Sequence, residues 1–320
     1  MLWSVLLAML GTLGLVVQAQ VPNPVVRLDP ALDDIVPPGA RVEKLADGFL
    51  GNEGPVWVRK GGYLLFSASS MKAIFKWSSQ DAKVSTFVED IANGITVDPQ
   101  GRIVYVQTGD QQIIRLESDG KRSILASGYE GKPFVRPNDL VYRSDGTLYF
   151  TDPGNREKVP GEGHASIYLI KDGKVRLAAQ HRSIVRPNGL AFAPGERLLY
   201  IADTLKLQVI RLDVQPDGTL ANPHTVSDMS ADKSAGYPDG IKVDQKGNIF
   251  CTGPGGLWII SPQGKHLGTV LFEENDYSRA VSYVVGISNL AFGDADGKTL
   301  YVTARTALYR MRLSAEGIRP

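Results

Sequence analysis

Cysteine is nearly absent from this chain. Cys251 stands alone among 320 residues, so no internal disulfide framework can form. Its place in the strand-like run N-I-F-C-T reads as a small buried apolar thiol rather than a nucleophile. Charge of one sign is missing too. Against 34 Asp and Glu there are 35 Lys and Arg, a net charge of +1 with no basic run, which argues against nucleic acid or an anionic membrane surface as partner. Histidine is scarce: His164, His181, His224 and His266 show neither H-x-x-x-H nor H-E-x-x-H spacing, and that excludes a zinc protease of this type. There is no G-x-S-x-G elbow for a serine hydrolase. The P-G-G run at Pro254–Gly256 has no following helix or Lys, so it is a turn and not a phosphate cradle.

What is present begins with residues 1–20, an apolar stretch without a charged side chain that ends V-Q-A-Q. Its small-x-small ending after Ala19 marks a cleavable export signal, the alternative being an uncleaved anchor of nearly membrane-spanning length. The expected location is therefore periplasmic or secreted, with no membrane insertion after cleavage, or tethered if the segment stays. Residues 21–40 are rich in Pro and Asp and read as a linker or extended arm, and residues 41–320 as one repeating domain.

The repeat is written six times. Units open with E-G-P-V-W at Glu53, N-G-I-T-V at Asn93, N-D-L-V-Y at Asn138, N-G-L-A-F at Asn188, D-G-I-K-V at Asp239 and N-L-A-F-G at Asn289. The starts are separated by 40, 45, 50, 51 and 50 residues, a spacing that signals a solenoid or a propeller. After each start come a turn rich in Gly, Asp or Lys and apolar runs such as Y-L-L-F, I-V-Y-V, T-L-Y-F and L-L-Y-I, four to six residues long, which are strands. Third runs (A-I-F-K-W, Q-I-I-R-L, Q-V-I-R-L) and weaker fourth runs complete the unit. The pattern predicts an all-β fold, a six-bladed β-propeller with four antiparallel strands per blade, and residues 41–50 supply a strand that closes the ring.

In a propeller the first strand of each blade lies nearest the axis, so the leading side chains of the six units form a ring of oxygen donors: Glu53, Asn93, Asn138, Asn188, Asp239 and Asn289. Hard oxygens of this kind suit calcium or magnesium better than zinc. Taken singly, Asn-Gly and Asp-Gly are ordinary turn signals; their recurrence at one register is what points to a site. Asp152 and Asp203, after the second strands of their units, read either as channel-mouth residues or as turn residues.

The runs N-E-G-P-V-W (52–57), R-P-N-D (136–139), T-D-P (151–153), R-P-N-G-L (186–190) and Y-P-D-G-I (237–241) resemble the regucalcin/gluconolactonase family of metal-dependent propeller lactonases, in order, over about residues 41–315. The resemblance implies an enzyme that opens a small-molecule lactone. It implies one divalent metal ion, calcium first and zinc, magnesium or manganese as alternatives, held by Glu53, Asn188 and Asp239 with Asn138 as a further ligand or substrate contact. Asp239 becomes the catalytic acid/base and Arg136 a substrate-contacting residue. T-D-P-G-N-R-E-K lacks a match to the acidic substrate contact of some members. Two other readings stay open at this point: a non-catalytic propeller stabilised by metal, and a phosphotriester hydrolase with Asp239 as nucleophile.

Overall fold

The computed structural model describes residues 24–154, 165–273 and 286–319; residues 1–20, read from the sequence as an export signal, and the whole of the 155–163 loop lie outside the described residues. Alternating apolar and polar positions fold into six antiparallel sheets arranged as a six-bladed propeller. The innermost strands are Asn52–Val58, Ala92–Val97, Leu140–Tyr142, Pro187–Phe192, Ile241–Val243 and Ile287–Gly293. They contact one another in cyclic order, the last against the first. Hairpin turns are held by aspartates that accept backbone N–H groups two residues on, as Asp98 does from Gln100 (3.0 Å), Asp145 from Thr147 (3.0 Å) and Asp244 from Lys246 (2.9 Å).

Closure uses the N-terminal side of the domain. Val42–Asp47 is the outermost strand of the sixth blade and pairs antiparallel with Ala307–Arg312, so the expected closing strand is in place. Across the same seam the Trp57 ring stacks on Tyr301 at 5.4 Å, and Trp77 packs on the same tyrosine. Such aromatic contacts contribute about 0.5–1.5 kcal/mol each beyond the area they bury. The residues read as an arm are docked: Val25–Arg27 adds a fifth strand to the fifth blade, and Leu32, Ile35 and Val36 are buried among residues of the fifth and sixth blades. Cys251 is fully buried in the strand Ile249–Gly253, and burial pushes its thiol far above the ordinary range.

Candidate active site

Neighbouring inner strands approach closely where each unit begins. The N–H of Gly94 donates to the Asn138 carbonyl (3.0 Å), Gly189 to Asp239 (2.8 Å) and Gly240 to Ser288 (2.8 Å). Glycine is required in this row: a Cβ on Gly94 would lie 2.5 Å from Asp139 Oδ1, and one on Gly240 would lie 2.3 Å from Asn289 Oδ1. Hydroxyls at the ends of the second strands reinforce the ring. Ser67 donates to the Asn93 carbonyl, Thr151 to Asn188 and Thr204 to Pro238, each at 2.8 Å, and Ser288 on the sixth inner strand donates to Asn52 at 2.6 Å. In four blades the inner strand changes register at the polar residue, between Glu53 and Val56, Ala92 and Ile95, Pro187 and Leu190, and Ile287 and Asn289. Bulges of this kind re-aim side chains beside active sites.

These contacts correct one register. The sixth-blade carbonyl equivalent to those of Asn138 and Asp239 belongs to Ser288, not Asn289. Asn289 instead matches Asp139: each turns its Oδ1 back to the next N–H, Leu290 at 2.8 Å and Leu140 at 2.9 Å. The sixth unit reads S-N-L where others read N-G-L, so its asparagine stands one residue later. Asn289 and Asp139 meet across the axis, with Asn289 Nδ2 at 3.4 Å from Asp139 Oδ2 and at 3.4 Å from Glu53 Oε2.

Of the residues expected from the sequence, the fold joins Glu53, Asn188 and Asp239. Asp239 accepts hydrogen bonds from Asn188 and Glu53, its N–H is fixed by Thr252 Oγ1 at 2.8 Å, and Asn188 Nδ2 is oriented by Thr204 Oγ1 at 3.1 Å. Asn138 stands at the same end of the channel, but its bonds are those of its main chain, and among the described residues its side chain makes none. Asn93 keeps the ring register, and among the described residues its buried Oδ1 has no hydrogen-bond partner. Arg136 rides on the loop two residues before Asn138, its N–H held by Asp152 Oδ1 at 2.9 Å. Asp152 and Asp203 prove to be turn anchors: Asp152 accepts N–H groups of Val135, Arg136 and Gly154, and Asp203 those of Val185, Arg186, Leu205 and Lys206.

The electrostatics are those of crowded acids. Burial, then the charge of Asp239, pushes the Glu53 carboxyl well above the usual carboxylate range. Burial also raises Asp239; the Arg305 guanidinium opposes it and the Asp139 charge adds to it, leaving Asp239 pushed up to about 7. Arg305 had no sequence signal as a site residue. Burial pulls its guanidinium down, but Tyr237, Asp239 and Glu53 outweigh this and hold it above its ordinary value.

Do these residues suit a divalent cation? The half-buried Glu53 and the buried Asp239 carboxylates repel each other when both are charged, the side-chain oxygen of Asn93 has no hydrogen-bond partner among the described residues, and Asn188 adds an amide. A hard cation would relieve the first and satisfy the second, so the donor set fits calcium-type chemistry. Among the described residues no group of three or more His, Cys, Asp or Glu forms a ligand cluster, so amide oxygens must complete the shell.

Comparison with known proteins agrees with this picture. Residues 51–306 match the family described as the SMP-30/gluconolactonase/LRE-like region. The chain is 30% identical to a gluconolactonase of Zymomonas mobilis, covering 92% of this chain and 87% of that one. It is 26% identical to regucalcin of Danio rerio over 79% of this chain and 82% of the relative. A solved gluconolactonase structure from Xanthomonas campestris superposes with a TM-score of 0.79 at 27% identity, over 92% of this chain and 97% of the other.

Proposed function

The chain belongs to the SMP-30/gluconolactonase/LRE-like family, and from that premise we propose that it is a lactonase whose metal-assisted hydrolysis uses Asp239 as general base. The observation that carries this reading is the Glu53–Asp239 pair: a half-buried carboxyl hydrogen-bonded to a buried one at the polar end of a propeller channel, with Asp239 raised to about 7.

Glu53, Asn188 and Asp239 would hold the divalent cation, calcium by the hardness of the donors, with Asn93 and Asn138 as further oxygens. When bound, the cation supplies polarisation of the lactone carbonyl and offsets charge developing on oxygen. With a cation held there, Asp239 would work as a carboxylate near neutral pH. Asp239 accepts a proton from water as the water oxygen bonds to the acyl carbon. The tetrahedral adduct collapses with cleavage of the ring C–O bond, and Asp239 returns the proton to the departing alkoxide, giving a hydroxy acid. Arg136, whose main-chain N–H is held by Asp152, would hold a hydroxyl or carboxylate of the substrate.

The test is hydrolysis of a panel of aldono- and alkyl lactones by the purified protein, before and after chelation. Turnover that is lost with the metal and restored by calcium supports the reading. An inert panel with metal-loaded protein removes it and leaves a ligand-binding propeller. Single turnover in oxygen-18 water separates base from nucleophile: label in the product alone means base, label in the Asp239 carboxyl means nucleophile.

A further inference from the structure

One repeat position breaks its own rule. The residue after the second strand is Ser69, Thr108 and Thr204 in the first, second and fourth blades, judged by the pairing of Ala68, Gln107 and Asp203 with the inner strands. Those hydroxyls serve the backbone: Ser69 donates to the Gly51 carbonyl, Thr108 to Ile91 and Thr204 to Pro238. In the sixth blade, where Ala304 pairs with Ile287, the equivalent residue is Arg305. Its carbonyl accepts from Gly51 N at 3.0 Å, two residues before Glu53, which fixes it at the polar end of the channel. Its Nη2 donates to the Tyr237 hydroxyl, two residues before Asp239. Among the described residues the guanidinium forms no ion pair, although its charge acts on Glu53 and Asp239 both.

The guanidinium of the half-buried Arg305 carries five N–H donors, and here one side-chain acceptor, the Tyr237 oxygen, takes one of them. The opposing acids are Glu53, Asp239 and, one layer deeper, Asp139, whose oxygens are already engaged with Leu140 N and Asn289. Once the first two acids are committed to a cation, the donors of Arg305 border the space where the acyl group reacts.

We propose that Arg305 is a catalytic residue that donates to the acyl oxygens of the lactone, and that Tyr237 is its positioning residue. This rests on the lactonase reading. As water adds to the acyl carbon, the carbonyl electron pair moves onto oxygen; Arg305 stabilises that charge and then the carboxylate left when the ring C–O bond breaks. It keeps its own protons, because the proton of water travels through Asp239 to the alkoxide.

The experiment compares calcium-loaded wild type, Arg305→Gln, Arg305→Lys and Tyr237→Phe. It measures kcat and KM on D-glucono-δ-lactone, and binding of gluconate against sorbitol, which lacks the carboxylate, by calorimetry. Loss of one oxyanion donor predicts a fall of about 10²-fold in kcat for Arg305→Gln with little change in KM. Gluconate binding weakens by about the same factor and sorbitol binding does not change. Arg305→Lys recovers part of the loss, Tyr237→Phe loses less than Arg305→Gln, and calcium affinity falls in none of them, since Arg305→Gln removes a positive charge beside Glu53 and Asp239. Wild-type kcat in Arg305→Gln, equal weakening of gluconate and sorbitol, or a loss traced to calcium affinity overturns the proposal. Should Arg305→Gln not fold, Arg305→Lys and Tyr237→Phe decide by the same gluconate-to-sorbitol ratio. A wild type inert on lactones defeats the lactonase reading instead, a result separate from the calorimetric one.

Discussion

The two ends of the channel are built from the same six strands and have opposite characters. At their beginnings the strands bring Glu53, Asn93, Asn188 and Asp239 together with Asp139 and Arg305. At their ends they line a cavity of about 660 Å³ with Val56, Ile95, Val141, Leu190, Val243 and Ala291. Rim charges at the apolar end are matched: Asp98 with Arg102 at 2.7 Å and Glu196 with Arg143 at 3.7 Å. At the polar end, acid faces acid. Uncompensated buried charge is costly, and a site that keeps it has a ligand to bind or a proton to move. The proposed chemistry accordingly belongs to the polar end and not to this apolar cavity.

Substitutions can break this contrast, and the largest effect belongs to Asp239→Asn. It removes the proton acceptor and lowers kcat about 10³-fold or more, measured on lactone with calcium occupancy checked. Glu53→Gln follows: loss of a carboxylate ligand weakens calcium binding by about 10²-fold or more, at the upper limit of what outer-shell changes do, read by calorimetry.

Next comes pH. The folded-state pKa values of Glu53 and Asp239 lie above the unfolded ones, so the metal-free fold favours their protonated forms. The melting temperature of stripped protein then falls as pH rises from about 4, the ordinary carboxylate range, through the Asp239 value of about 7. Saturating calcium, which competes with those protons, removes or reverses the slope. Thermal melts with and without chelator measure it. The smallest effect on turnover is at the other end: Ala191→Val, which crowds a buried position beside the apolar cavity, costs about 1–3 kcal/mol of stability and leaves kcat/KM unaltered.

The fold was legible because propeller units repeat: six polar starts, each followed by strand-length apolar runs, leave few other architectures. The repeat register places Glu53, Asn188 and Asp239 at one end of the channel, while their choice as cation ligands comes from the family resemblance and is part of the proposal. Asn289 was misplaced by one residue because the sixth unit has no glycine after its leading residue, and a one-residue offset in a strand turns a side chain elsewhere. Ser288 was hidden by the same offset. Arg305 was hidden differently. It lies outside the leading row, and its significance appears only when the ends of the second strands are aligned, where it replaces a hydroxyl. Tyr237 and Asp139 sat inside quoted motifs, but their partners, Arg305 and Asn289, come from another blade, and such cross-axis pairs leave no trace in local spacing.

The central claim, a cation-assisted lactonase at the polar end, is tested most directly by titrating calcium into chelator-stripped protein while following lactone turnover. Activity should rise in proportion to occupancy and saturate at one calcium per chain. Full turnover by the stripped protein, indifferent to added calcium, would contradict it.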